Sequence, residues 1–208
     1  MIVFEILGTI AFSISGAIEA MKKEMDMLGV LVLGLVTAVG GGILKDILMG
    51  ELPPVAFQNL RNAFIAVGAA LSAFIVGILL SKKEKELHSR IWNHTMLISD
   101  AVGLGTFTVI GIRYVQELGY KNPILLVFVG VVTGVGGGVM RDVFAGNIPF
   151  IFRKHVYATA AIAEAVIYLC LEKTGYIDFA AAVGLLTVLL LRIFAAKYKW
   201  NLPVVHLK

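Results

Sequence analysis

Apolar residues along this chain gather into seven runs, about 2 to 21, 28 to 50, 62 to 80, 95 to 115, 123 to 147, 155 to 172 and 178 to 197. Short joints carrying charges or proline separate them. At 1.5 Å per helical residue, runs of about 17 to 24 residues match the roughly 30 Å of a bilayer's hydrocarbon layer, and a globular core has no use for such lengths. The ten-residue alternation of a membrane barrel strand is absent. The pattern predicts an all-α integral membrane protein, one membrane domain with seven transmembrane helices.

The pattern also repeats. Thr37-Ala-Val-Gly-Gly-Gly-Ile-Leu-Lys-Asp46 returns as Thr133-Gly-Val-Gly-Gly-Gly-Val-Met-Arg-Asp142, and both copies continue through Gly50 and Gly146 to Pro53 and Pro149. These motifs align at an offset of 96. The spans before them align at 95, with Glu5 on Asp100, Gly8 on Gly103, Phe12 on Phe107 and Gly16 on Gly111. The copied unit has three spans, residues 2–80 and 95–172. Because three is odd, the second copy must enter the membrane from the opposite face, which makes the repeats inverted. The seventh helix, 178–197, falls outside the repeat and reads as a packing or assembly helix.

Composition supports the membrane reading: of 208 residues, 59% are hydrophobic and 15% charged, with a mean hydropathy of +0.89. One cysteine, Cys170, excludes an intrachain disulfide and a cysteine metal cluster, and the four histidines lack ligand spacing, so neither metal nor cofactor is expected. The formal charge of +4 does not point to nucleic acid, because the cations lie in the joints, where they signal topology and meet lipid headgroups. Lys22, Lys23, Lys82, Lys83, Lys85, Arg90, Arg153, Lys154, Lys197, Lys199 and Lys208 fall on one side, against Arg61, Arg113, Lys121 and Lys173 on the other. That asymmetry predicts a cytoplasmic carboxyl terminus and an external amino terminus. The first run lacks a basic leader and contains Glu5, so it reads as a retained span and not a signal peptide.

Candidate chemistry sits in the doubled motif. Each glycine of Gly40, Gly41, Gly42 and of Gly136, Gly137, Gly138 weakens a helix by about 1 kcal/mol relative to alanine. Close packing accounts for isolated glycines, whereas a consecutive triplet predicts a kinked or unwound helix whose freed backbone lines a cavity. Lys45 with Asp46, and Arg141 with Asp142, follow directly. Adjacent helical residues do not face each other, so each cation should find a partner on another helix or reach into water. Either an interior ion-pair network or an electrostatic gate would use them. Glu5 and Asp100 are the natural counter-ions for Lys45 and Arg141. Glu164 is a third acid in an apolar run, without an assigned role. Ser13, Ser15, Thr37, Thr106, Thr108 and Thr133 fit interhelical or back-bonded hydroxyls better than ligands. Neither glycine stretch continues into a phosphate loop or a dinucleotide fingerprint, and no nucleophile, base and orienter assemble, so an enzyme is not expected.

The doubled Gly-Gly-Gly-x-x-Lys/Arg-Asp motif, with Asp/Glu-x-x-Gly and Phe12-Ser13-Ile14-Ser15-Gly16 before it, resembles the bacterial and archaeal branch of the trimeric intracellular cation (TRIC) channel family. The same sequence domain carries the name of a bacterial glycine transporter. The resemblance covers residues 2 to 172 and implies a homotrimer in the inner membrane, with one hourglass pore per subunit conducting potassium or sodium. It further implies glycine kinks in the second and fifth helices, and Lys45 and Arg141 at the narrow part. Glu5 stands where the family more commonly has aspartate, and the Lys-Glu-Val signature of animal members is missing. Beside a potassium channel, two readings remain open: a secondary transporter of glycine or another small zwitterion, and a dry scaffold.

Overall fold

The computed structural model describes residues 2–80, 85–153 and 156–200. Lys82, Lys83, Lys154 and Lys208, used above for orientation, and the first residue of the sixth run, His155, lie outside these. Among the described residues the regular elements are helices: α1 (Ile2–Lys22), α2 (Met27–Met49), α3 (Val55–Gln58), α4 (Arg61–Leu80), α5 (Lys85–Glu117), α6 (Pro123–Phe144), α7 (Phe150–Arg153), α8 (Ala158–Leu171) and α9 (Ile177–Tyr198). Six of them, α1, α2, α4, α5, α6 and α9, are long and apolar enough to cross a membrane. Helix α8 has 14 residues, about 21 Å, which is short of the hydrocarbon thickness.

The helix ends follow local chemistry. Asp26 accepts from the Gly29 amide at 2.8 Å to start α2, and Asn122 accepts from Ile124 at 3.0 Å with Pro123 next to it to start α6. Gly50 ends α2 in the left-handed region (φ 77°), and Gly146, just beyond α6, takes the same turn (φ 70°). Helix α5 outruns its apolar stretch, beginning at Lys85, because the Lys-Glu-Leu segment favours helix even without lipid to cover it. The short α3 and α7 follow the two motifs at matching places and were not legible in the hydropathy.

Helices α1, α2 and α4 pack together, as do α5, α6, α8 and α9, and the two groups meet through α1 on α5 and α2 on α6. Ala66, Ala70, Ala73 and Gly77 form the buried stripe of α4, and small side chains there let backbones approach: Ser13 donates to the Ala66 carbonyl at 2.5 Å. Contacts between the groups are reciprocal. Phe12 stacks on Phe107 with centroids 5.4 Å apart; Gly8 faces Thr106 and Phe107, while Gly103 faces Phe12. Gly41 faces the Thr133 carbonyl, and Gly137 faces the Thr37 carbonyl. As one residue number rises its partner's falls, so α1 runs antiparallel to α5 and α2 to α6.

The unwinding expected at the triplets does not occur, since α2 and α6 each run through theirs as one α-helix. The glycines serve the crossing instead. A Cβ on Gly40 would strike Met140, on Gly41 the Thr133 carbonyl, on Gly136 Leu44, on Gly137 the Thr37 carbonyl and Phe12, and on Gly138 the Tyr157 hydroxyl. Packing recovered at this depth outweighs the helix propensity lost.

Candidate functional site

A cavity of about 110 Å³, room for a few waters, reaches inward between α1, α2, α5 and α6 from the α3–α4 corner. Glu5, Asn59 and Asn62 stand at its rim, Lys45, Asp46 and Gly42 form one wall, and Phe107 and Thr133 lie deeper. Gly42 is the motif glycine with nothing within 4 Å of an added Cβ, which leaves the wall open there. The Lys45 ammonium lies 2.9 Å from Asp46 Oδ1 and 3.1 Å from the centre of the Tyr114 ring. The sequence-based pairing with Glu5 is not found. Glu5 instead accepts from Arg61 at 2.5 Å and Asn62 at 2.6 Å, at the rim of the same cavity. Nor does the adjacent-residue argument hold, because a flexible lysine stem can fold back beside the carboxylate that follows it.

Asp46 has a second task. Its Oδ2 accepts the Val55 amide at 2.8 Å, holding the first turn of α3, and Asp142 Oδ2 accepts the Phe150 amide at 2.8 Å, holding α7. The acid of each motif thus fastens the returning chain against the helix end.

The second motif is sealed. Arg141 is fully buried, donating to Asp100 Oδ1 at 2.6 Å, to Asp142 Oδ1 at 2.9 Å and to the Ser15 hydroxyl. The expected pairing with Asp100 is present. Asp100 Oδ2 also accepts from Arg192 at 2.8 Å, and its Oδ1 from the Tyr157 hydroxyl at 3.3 Å. Two arginines and two aspartates close a neutral cluster, with Arg141 above Phe150 and Arg192 above Tyr157. Arg192 ends a buried stripe on α9 of Ala180, Ala181, Gly184 and Val188, spaced to turn it inward. An arginine alone in a long apolar run was a signal available in the sequence. Tyr157 and Tyr114 carried no such signal.

Thr37, Thr108 and Thr133 donate to the carbonyls of Leu33, Leu104 and Val129, four residues back, as hydroxyls in apolar helices do. In antiparallel α2 and α6 the Lys45 and Arg141 stations fall on opposite sides of the crossing, separated by about 15 Å along the axes.

A family model described as a glycine transporter matches the chain twice, over residues 2–77 and 97–173. An inner membrane protein of Escherichia coli K12, UPF0126 protein YadS, is 37% identical over 96% of this chain and 93% of its own length. A prokaryotic TRIC channel crystallised in 0.5 M KCl superimposes with a TM-score of 0.85 at 36% identity, covering 96% of this chain and 97% of that one. A structure solved to explain conductance through TRIC cation channels gives 0.82 at 37% identity, covering 100% and 98%.

Proposed function

Because the chain belongs to the prokaryotic TRIC cation-channel family, whose sequence domain also carries the glycine-transporter name, we propose that it conducts monovalent cations, potassium foremost, along one path in each subunit. The observation that carries this reading is the cavity walled by Glu5, Lys45 and Asp46, which enters between α1, α2, α5 and α6 and ends at Phe107 and Thr133, with the sealed Arg141 cluster farther along the same helices. Such an arrangement is a closed conduit: a wet entrance at Lys45 and a shut end at Arg141. Opening requires the Asp100–Arg141–Arg192 contacts to part, and the neutral balance of the cluster lets its members exchange partners without stranding a net charge.

The antiparallel, reciprocal contacts and the double match of the family model support two inverted three-helix repeats, 2–80 and 95–172, with α8 completing the second repeat and α9 as the seventh span. In this reading the subunits assemble as homotrimers in the inner membrane, the carboxyl terminus lies in the cytoplasm, and the many exposed apolar side chains, such as Phe64, Ile75, Leu79 and Ile124, meet lipid or neighbouring subunits.

A positive charge on the cavity wall opposes cation entry by about 1 kcal/mol at 4 Å in water. Lys45→Ala should therefore raise potassium flux through reconstituted liposomes about fivefold, with Asp46 left facing the path. If wild-type vesicles pass no potassium, or K45A flux equals wild type, the conduit does not run past Lys45.

One observation favours a carrier as the second reading. The cavity presents an ammonium and a carboxylate side by side, a match for a small zwitterion, and it is closed at one end. Saturable uptake of labelled glycine into the same vesicles, without unitary currents, selects that reading over the channel.

A further inference from the structure

Glu164 has no part in this path, yet its side chain is fully buried where α8 packs on α5, α6 and α9. Two glycines make room for it. A Cβ on Gly105 of α5 would lie 3.1 Å from Glu164 Oε1, and one on Gly184 of α9 would lie 3.2 Å from its Cγ. Among the described residues neither carboxyl oxygen has a hydrogen-bond partner.

Thr108 of α5 places its side chain against the carboxyl. Its hydroxyl spends its proton on the Leu104 carbonyl at 2.8 Å. A hydroxyl has one hydrogen to give and two lone pairs to offer. Thr108 therefore presents only lone pairs to Glu164, and a bond forms between them only if the carboxyl brings the hydrogen.

Charged groups on the surrounding elements are engaged elsewhere. On α5, Asp100 holds the two arginines and Arg113 lies 4.0 Å from Glu117. On α6, Arg141 and Asp142 pair inside the cluster. On α9, Arg192 is bound to Asp100, while Asp178 and Lys197 are exposed. On α8, Tyr168 turns to Glu172. A carboxylate at this point would face glycine backbone and Leu185, and among the described residues no cation pairs with it and neither oxygen receives a donor.

We propose that Glu164 is a proton-binding site, a neutral carboxylic acid that donates to Thr108 and allows α5, α8 and α9 to close around it. A metal cation fits the place poorly, since such an ion needs several oxygens and, among the described residues, Thr108 is the hydroxyl set against the carboxyl. The site also bears on the conduit reading. Gly184, against Glu164, and Arg192, against Asp100, lie on the same helix, so expelling the proton would push α9 away and draw Arg192 from the cluster.

Infrared spectroscopy of the full chain in liposomes tests the assignment without measuring current, so its failure is separable from that of the channel reading. The expected result at pH 7 is a carboxylic-acid carbonyl band that shifts in D2O and disappears in Glu164→Gln, an uncharged variant of the same shape. Glu164→Asp, a second check, should move the band. The proposal is overturned if E164Q and E164D leave the carbonyl region unchanged. It is equally overturned if they remove a carboxylate band that responds to replacing potassium with a large organic cation, which would make this a metal-ion site.

Discussion

Asp100→Ala is expected to destabilise the protein by about 3–5 kcal/mol, the usual cost of leaving buried charges without their partner. Asp100 is fully buried and holds both arginines, one on each carboxylate oxygen, with the Tyr157 hydroxyl as a third donor. Its removal leaves Arg192 without an acid and Arg141 with Asp142 alone. Thermal unfolding of detergent-solubilised protein reads the effect as a large loss of melting temperature. Asp100→Ala combined with Arg192→Leu should recover most of it, because the pair is replaced by apolar side chains and Arg141 with Asp142 remains as a neutral pair. A single variant that melts with the wild type would show that the cluster is hydrated and not sealed. A recovered double variant that passes cations constantly would identify the cluster as the closed end of the path.

The second large effect separates glycines within one triplet. In Gly41→Ala or Gly137→Ala the new methyl meets a main-chain carbonyl, of Thr133 or Thr37, that cannot rotate aside. The helices must part, and each substitution should cost about 1–3 kcal/mol, as overpacking does. Gly42→Ala meets open space and gains helix propensity, so it should be neutral or stabilising by up to about 1 kcal/mol. The three melting curves, measured side by side, check the contrast. If all three variants lose stability alike, the triplet matters through backbone freedom and not through the crossing.

That contrast also shows what the sequence could and could not reveal. The long spans and the repeat were legible because lipid imposes length on every crossing helix and duplication preserves spacing. The Asp100–Arg141 pair was legible because charges in apolar runs must find each other. Helices α3 and α7 were hidden, being too short for a hydropathy pattern and held by carboxylates from another segment. The unwinding read from the glycine triplets is missing because propensity is a local quantity, while the helices at this crossing gain from contact with a partner about 90 residues away in the chain. Glu5 was assigned to Lys45 by repeat symmetry, but the two copies are not finished alike. Arg192, from outside the repeat, completes the second cluster, while Arg61 and Asn62 take Glu5 at the first.

The forked use of the motif acids explains a detail of the duplication itself. Asp46 and Asp142 each receive a cation on one oxygen and a main-chain amide on the other. An asparagine there would have to turn its own NH2 toward one of two donors, so the position tolerates only a carboxylate. The cation needs only reach and charge, and the two halves have already diverged there, one keeping lysine and the other arginine, while the aspartate beside it reads the same in both.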